Sequence, residues 1–340
     1  MFRPGMLSRL LLTLLMILPL HHEPVCNAAQ MHAIASANGP LKPPVQPCAH
    51  RSSAHAVTLC AVGDIMLAGP MGDLMAKRGR GYPFAAMKPT LRRADIAFGN
   101  LECAVANGGQ PIEKKYRFRA DPRRVRVLAE SGFTLVSLAN NHAWDYGRDA
   151  LLETVRNVQQ TGVRVVGAGA NRAEAHRLQV FVRHGVRIGF LAYLGLLPAL
   201  VPESDVAPCL SMASEGAIRR EVQAARGKVD VLIVSLHAGK EGAPTATPIQ
   251  RTFAHAAIDA GADLVIGHHP HVRQPLVRYH RGLICYSLGN FVFSTTGRGS
   301  SAMLTATLGK KGVLSARLIP LILNGPQPCL PKLRPRTLTK

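Results

Sequence analysis

Residues able to do chemistry recur in one kind of place along this chain, just past a short apolar run. Asp64 follows Val57–Val62, and Asn100 and Glu102 follow Ile96–Phe98. Asn140, Asn141, His142 and Asp145 follow Phe133–Leu138. His237, with Glu241 beyond it, follows Val229–Ser235, and His268-His269-Pro270-His271 follows Asp263–Ile266. Carboxylate, amide oxygen and imidazole together form a donor set for Mn, Fe, Zn or Mg, and not for copper(I) or an iron–sulfur cluster. His269 and His271 make an H-x-H pair in a tight loop, which aims two imidazoles at one place. Each residue also has an ordinary use: Asp64 as a helix cap, Asn141 in a turn, His237 as a hydrogen-bonded core histidine. Their recurrence in equivalent positions is what favours a polar, metal-binding active site.

The elements that must position them alternate. Helical spacing covers Arg123–Glu130, Asp149–Gln160, Glu215–Ala225 and Ile249–Ala260. Val163–Val166, Arg187–Tyr193 and Leu283–Leu288 complete the set of apolar strands, and two more strands are expected between residues 300 and 323. Strand–helix alternation predicts an α/β architecture, in which ligands bind outside the carboxyl ends of the strands. No fixed-period repeat and no second domain boundary is visible. The reading is one domain over residues 57–323.

Seven segments, in order, resemble the CapA-type capsule-synthesis proteins. They are Gly63-Asp64-Ile65-Met66, Asn100-Leu101-Glu102, Ala139-Asn140-Asn141-His142-Ala143-Trp144-Asp145-Tyr146-Gly147, Gly167-Ala168-Gly169, His237-Ala238-Gly239-Lys240-Glu241, Gly267-His268-His269-Pro270-His271 and Tyr286-Ser287-Leu288-Gly289-Asn290-Phe291. That family is associated with poly-γ-glutamate capsules and resembles a branch of the calcineurin-like metallophosphoesterases. The resemblance implies a layered sandwich, two central β-sheets flanked by helices. It also implies two divalent metal ions. Asp64 and His271 would bind the first, Asn141, His237 and His269 the second, and Glu102 would bridge them. His142 would stand as general acid, with Asp145 orienting it. Asn100, Glu241, His268 and Asn290 are then supporting or substrate-binding residues.

The chain departs from the phosphoesterase pattern at its first strand. Asp64-Ile65-Met66 stands where D-x-H is usual, so the first metal site lacks an imidazole. Ala238 replaces an aromatic commonly found after His237, and Cys103 a glycine commonly found after Glu102.

The formal net charge is +21, from 41 basic and 20 acidic residues, with 47% of residues apolar. This excludes a disordered polyelectrolyte and points to an anionic partner. Lys114, Lys115, Arg117 and Arg119 surround Tyr116 and Phe118, and strand alternation would place Tyr116 and Phe118 on one face. Arg119 and Arg273 are the expected anion clamps. Arg3 and Arg9 precede the apolar run Leu10–Leu20, which is too short to span a bilayer, a task needing roughly 20 residues. It reads as a signal peptide over 1–28, cleaved near Ala28 or Ala29, or else as an uncleaved anchor. Residues 29–56 read as a flexible linker and 324–340 as a basic tail. The expected location is the periplasm or cell envelope, with an anionic polymer such as poly-γ-glutamate or a phosphoester as partner, envelope capsule machinery nearby, and no nucleic acid. None of the seven cysteines forms a C-x-x-C pair; Cys60 and Cys285 read as buried thiols. Two functions fit: a metal-dependent hydrolase or transferase, or a non-catalytic component that binds the polymer.

Overall fold

Val57–Ile65 forms the strand around which the rest of the domain is arranged. The computed structural model describes residues 55–196, 204–293 and 300–331. The signal or anchor segment, nearly all of the linker and residues 332–340 lie outside the described residues. In chain order the strands of two large sheets are β1 (Val57–Ile65), β2 (Ile96–Leu101), β3 (Leu135–Ser137), β4 (Arg164–Val166), β5 (Gln179–Arg183), β6 (Val186–Leu194) and β7 (Val231–His237). They continue as β8 (Leu264–His268), β9 (Leu276–Tyr279), β10 (Gly282–Cys285), β11 (Asn290–Val292), β12 (Ser301–Gly309), β13 (Gly312–Asn324) and β14 (Gln327–Cys329). The longer helices are α1 (Gly69–Arg78), α2 (Gly147–Gln159), α3 (Glu215–Arg226) and α4 (Pro248–Ala260).

One sheet runs β14-β13-β12-β1-β2-β3-β4, with β11 also paired to β1; the other runs β9-β10-β8-β7-β6-β5. The centre of each sheet is parallel: β1 to β4 in the first, β6, β7, β8 and β10 in the second. The sheets pack face to face. Leu59, Ala61 and Phe98 of the first share one apolar core with Phe181, Ile188, Phe190, Ile233 and Ile266 of the second. Phe98 and Phe190 stack across the interface with ring centres 5.6 Å apart.

Alternation then sends Leu232, Val234 and Leu236 of β7 the other way, onto Ile218 and Val222 of α3 and Phe253, Ala254 and Ala257 of α4. Strands covered on both faces carry continuous apolar runs. Each fully buried large side chain is worth about 1.5–3 kcal/mol. The result is the expected layered α/β sandwich. Among the described residues no helix is long and apolar enough to cross a membrane.

Three expectations change. Lys114 to Phe118 is irregular rather than a strand; only Arg119–Ala120 pairs, with Ala104–Val105. Tyr116 is 59% exposed, so the alternation there reflects a loop with one side in water. The segment read as a tail opens with β14, paired to β13; Pro328 is compatible with that edge position. Helix α1 carries no strong periodicity and was not foreseen. Cys60 and Cys285 are buried, and burial pushes both thiols up to about 12.

Candidate metal centre

Local backbone devices put the polar residues where the two sheets' strand ends meet. The β1–β2 register shifts between Ala61 and Asp64, a bulge that re-aims the strand end. Gly63 makes this possible, because a Cβ there would sit 1.7 Å from the Gly289 carbonyl oxygen. The close approach lets Asp64 N–H donate to Gly289 O at 3.0 Å. On the other sheet, His269 and His271 have φ of 94° and 58°. Non-glycine residues held there cost on the order of 1–3 kcal/mol each, a strain that clusters at functional sites.

The loops carrying these residues are tied down by buried amides. Thr247 and Gln250 form a capping box at the start of α4. The Gln250 amide donates to Gln274 Oε1 at 2.9 Å, and Gln274 donates to the Ala243 and Thr245 carbonyls. This links the loop after His237 to the one after His271. Both glutamines were missed from sequence; only the T-x-x-Q capping pattern signals one of them.

Asp64, Asn100, Glu102, Asn140, Asp145, His142, His237, His268, His269 and Asn290 are all buried. Asn100 donates to Asp64 Oδ1 at 2.9 Å, and its amide lies 3.2 Å from His237 Nδ1. His237 Nε2 lies 2.8 Å from Asn141 Oδ1 and 3.6 Å from Glu102 Oε1. His271 stands between the carboxylates, its Nδ1 3.3 Å from Asp64 Oδ2 and its Nε2 4.0 Å from Glu102 Oε1. Its Nδ1 is also 2.9 Å from Asn290 Oδ1. Two sets of possible ligand atoms each fall within 4.8 Å: Asp64, Glu102 and His237, and Glu102, His269 and His271. Glu102 belongs to both.

His268 and His269 separate cleanly. His268 ends β8, packs against Phe98 and lies 3.2 Å from Asp64 Oδ1, though not aligned as a hydrogen bond. His269 joins the ligand set, and its backbone N–H donates to Asp64 Oδ2 at 3.3 Å.

Both Glu102 oxygens are buried without a hydrogen-bond partner, as is His269 Nδ1. Burial, and then the negative charge of Asp64, push the Glu102 carboxyl well above its usual range. Burial opposes charge on Asp64 as well, but the neighbouring imidazoles of His268 and His271 win and hold it well below the usual range. Burial also opposes charge on His271, yet Glu102 and Asp64 hold it up at about 10. Burial, then repulsion from His271, brings His269 down to about 4, and burial and His269 keep His237 neutral. The neutral imidazoles of His237 and His269 and the unpartnered Glu102 oxygens are what a divalent cation binds, and binding at His271 would release that ring's proton, so the residues fit a metal.

Beside this set stands a second group. His142 Nδ1 bonds Asp145 Oδ2 at 2.6 Å, which leaves Nε2 as the available nitrogen. Asn140 Oδ1 accepts from the His142 and Ala143 N–H groups and holds the turn. Lys114 donates to Asp145 Oδ1 at 2.8 Å and to the Asn141 carbonyl at 2.6 Å, with His142 Nδ1 3.2 Å away. Lys114, passed over in favour of Arg119, is the basic residue that reaches the centre. Arg119 is exposed; it lies over the Tyr146 ring at 4.3 Å and donates to Gly108 O. Arg273 anchors its loop through its backbone, donating to Ser300 O at 2.7 Å. Glu241 is exposed; Asn100 and Asn141 face the His237 ring, and the charge of Glu241 acts on His269. Met66 is fully buried in the core.

A family model described as bacterial capsule synthesis protein PGA_cap matches residues 58–295. The capsule biosynthesis protein CapA of Bacillus anthracis is 32% identical over 287 residues, covering 82% of this chain and 70% of its own length. The PGA biosynthesis protein CapA of Bacillus subtilis (strain 168) is 29% identical over 272 residues, covering 78% and 72%. Among solved structures, a putative 5'-nucleotidase from Staphylococcus aureus superposes with a TM-score of 0.50 at 16% identity. That match covers 78% of this chain and 54% of the other, and it identifies the fold as the calcineurin-like phosphoesterase type.

Proposed function

The chain belongs to the bacterial capsule-synthesis family, and from that premise we propose that it is an exported, metal-dependent hydrolase or transferase. Its substrate class is an anionic envelope polymer of the poly-γ-glutamate kind or a phosphoester. The observation that carries this reading is Glu102, buried with both oxygens unpartnered among Asp64, His237, His269 and His271. Glu102 would be shared by two divalent ions, with Asp64, Asn141, His237, His269 and His271 as the other ligands; the resemblance pairs Asp64 with His271, whereas the ligand atoms group Asp64 with His237 and His269 with His271. Such ions, when bound, activate water and neutralise charge on the attacked group.

The chain's own groups supply the rest. Asp145 accepts a hydrogen bond from His142 Nδ1–H and fixes its tautomer. Nε2 is thereby placed to give a proton to a leaving group. Lys114 holds Asp145 and the Asn141 carbonyl in one arrangement, coupling the acid to a ligand loop.

A second reading, a polymer-binding component without catalysis, is favoured by one observation. Met66 occupies the place of the usual first-strand imidazole and lies in the core, which weakens the site around Asp64. Purified protein supplied with Mn, Fe, Zn or Mg should shorten poly-γ-glutamate or cleave a model phosphoester, and His142→Ala should lower this about 10²–10⁴-fold. Polymer binding that survives without turnover under every metal would establish the second reading instead.

A further inference from the structure

The end of the domain opposite the metal centre carries its own pattern. It is built from the starts of the parallel strands and the turns β5–β6 and β12–β13. Contacts join these into one face. His184, in the β5–β6 turn, reaches Asp95 at 2.8 Å, and Asp95 accepts from Thr58 of β1. Gly312, at the β12–β13 turn, lies against Asp263, where a Cβ would fall 3.2 Å from Oδ1, and Asp230, just before the start of β7, pairs with Arg187 of β6. Arg281 opens β10 beside Gly261.

The acids of this face are engaged locally. Asp95 is held by Thr58 and His184, Asp230 by Arg187, Asp263 by Arg226 and the Leu232 N–H, and Asp259 by His280. Arg92, Arg93, Arg183, Lys228, Arg281, Lys310 and Lys311 are exposed beside them. Some basic residues at helix carboxyl ends serve the helix dipole. Lys310 and Lys311 do not, since they tip a β-hairpin. Two large apolar side chains are exposed at the same turns: Val182 at 59%, next to Arg183, and Leu314 at 56%, just past Lys311. The chain also joins the domain here, at His55 and Val57, and the residues ahead include the apolar run Leu10–Leu20, preceded by Arg3 and Arg9.

We propose that this face docks on an anionic lipid bilayer. Basic side chains meet the headgroups, Val182 and Leu314 enter the interface, and the metal centre is left facing away from the membrane. Exposed apolar residues ringed by lysine and arginine suit an interface that is both apolar and negative. Each basic residue near such a surface strengthens attachment about fivefold.

Sedimentation of the purified full chain with vesicles tests this. Vesicles of phosphatidylcholine alone measure the contribution of the N-terminal apolar run. Adding phosphatidylglycerol should increase binding, and this excess should fall as salt rises. The K310E/K311E variant should lose about tenfold or more of the excess and keep its thermal unfolding midpoint. The K115E/R117E variant, reversed near the metal centre, should keep it. The proposal is overturned if phosphatidylglycerol adds no binding, or if both variants lose the excess equally. It is also overturned if K310E/K311E loses binding to soluble poly-γ-glutamate while lipid binding stays intact.

Discussion

The two ends of the sandwich handle charge in opposite ways. At the carboxyl ends of the strands, Asp64, Glu102, His237, His268 and His269 are buried together beside a half-buried His271, and the charges of Asp64, Glu102 and His271 depend on one another. At the amino ends, acids sit near the surface, each with its own basic or hydroxyl partner. A buried unpartnered carboxylate is costly to leave as it is, whereas a surface pair contributes little. The buried end therefore looks organised around a bound cation, and the exposed end around solvent or a charged surface. Substitutions at the first should act together and through metal; at the second they should act singly.

The largest difference should come from His142→Ala. Loss of a positioned general acid lowers turnover about 10²–10⁴-fold, while metal content, measured on the same sample, stays unchanged. Lys114→Met should produce a smaller fall of the same kind, partly restored by Lys114→Arg. Next comes Glu102→Gln. Metal present at a hundred times its dissociation constant stabilises by about 2.7 kcal/mol. The variant should lose this thermal shift, yet unfold no earlier than wild type in chelator, because it no longer buries an unpaired carboxylate.

At the other end Asp95→Asn should cost about 1 kcal/mol, discounted for solvent screening. Burial opposes ionisation of Asp95, but bonds from Thr58 and His184 prevail and lower it from 3.8. Its contribution is therefore complete above pH 3.8 and disappears as pH falls through the lower folded value. Denaturation curves of the variant and wild type should converge in acid and separate above that point. Lys311→Ala should change stability by less than about 0.5 kcal/mol; a larger loss would show that this end is coupled like the other.

The strand ends were legible because buried parallel strands announce themselves as apolar runs and the residue after each run marks the edge. Asp64, Glu102, His237 and His269 were found this way. Lys114 was not, because Lys-Tyr-Arg-Phe-Arg alternates like a strand while the chain loops over the centre; tertiary contacts to Asp145 and Asn141 decide its place. Gln250 and Gln274 lie far apart in sequence and meet only in the fold. His268 and His269 differ by one backbone step, and the left-handed φ of His269 that separates them has no signature in residue type. Strand β14 is three residues long and contains a proline, so neither length nor propensity marked it.

The most direct measurement is the metal content of the purified chain and of its H237A/H269A variant after equilibration with Mn, Fe or Zn and removal of free ion. The wild type should retain bound metal, and the variant, folded by circular dichroism, should retain little or none. Equal metal in both, or none in the wild type with every ion, would contradict a metal centre at Glu102.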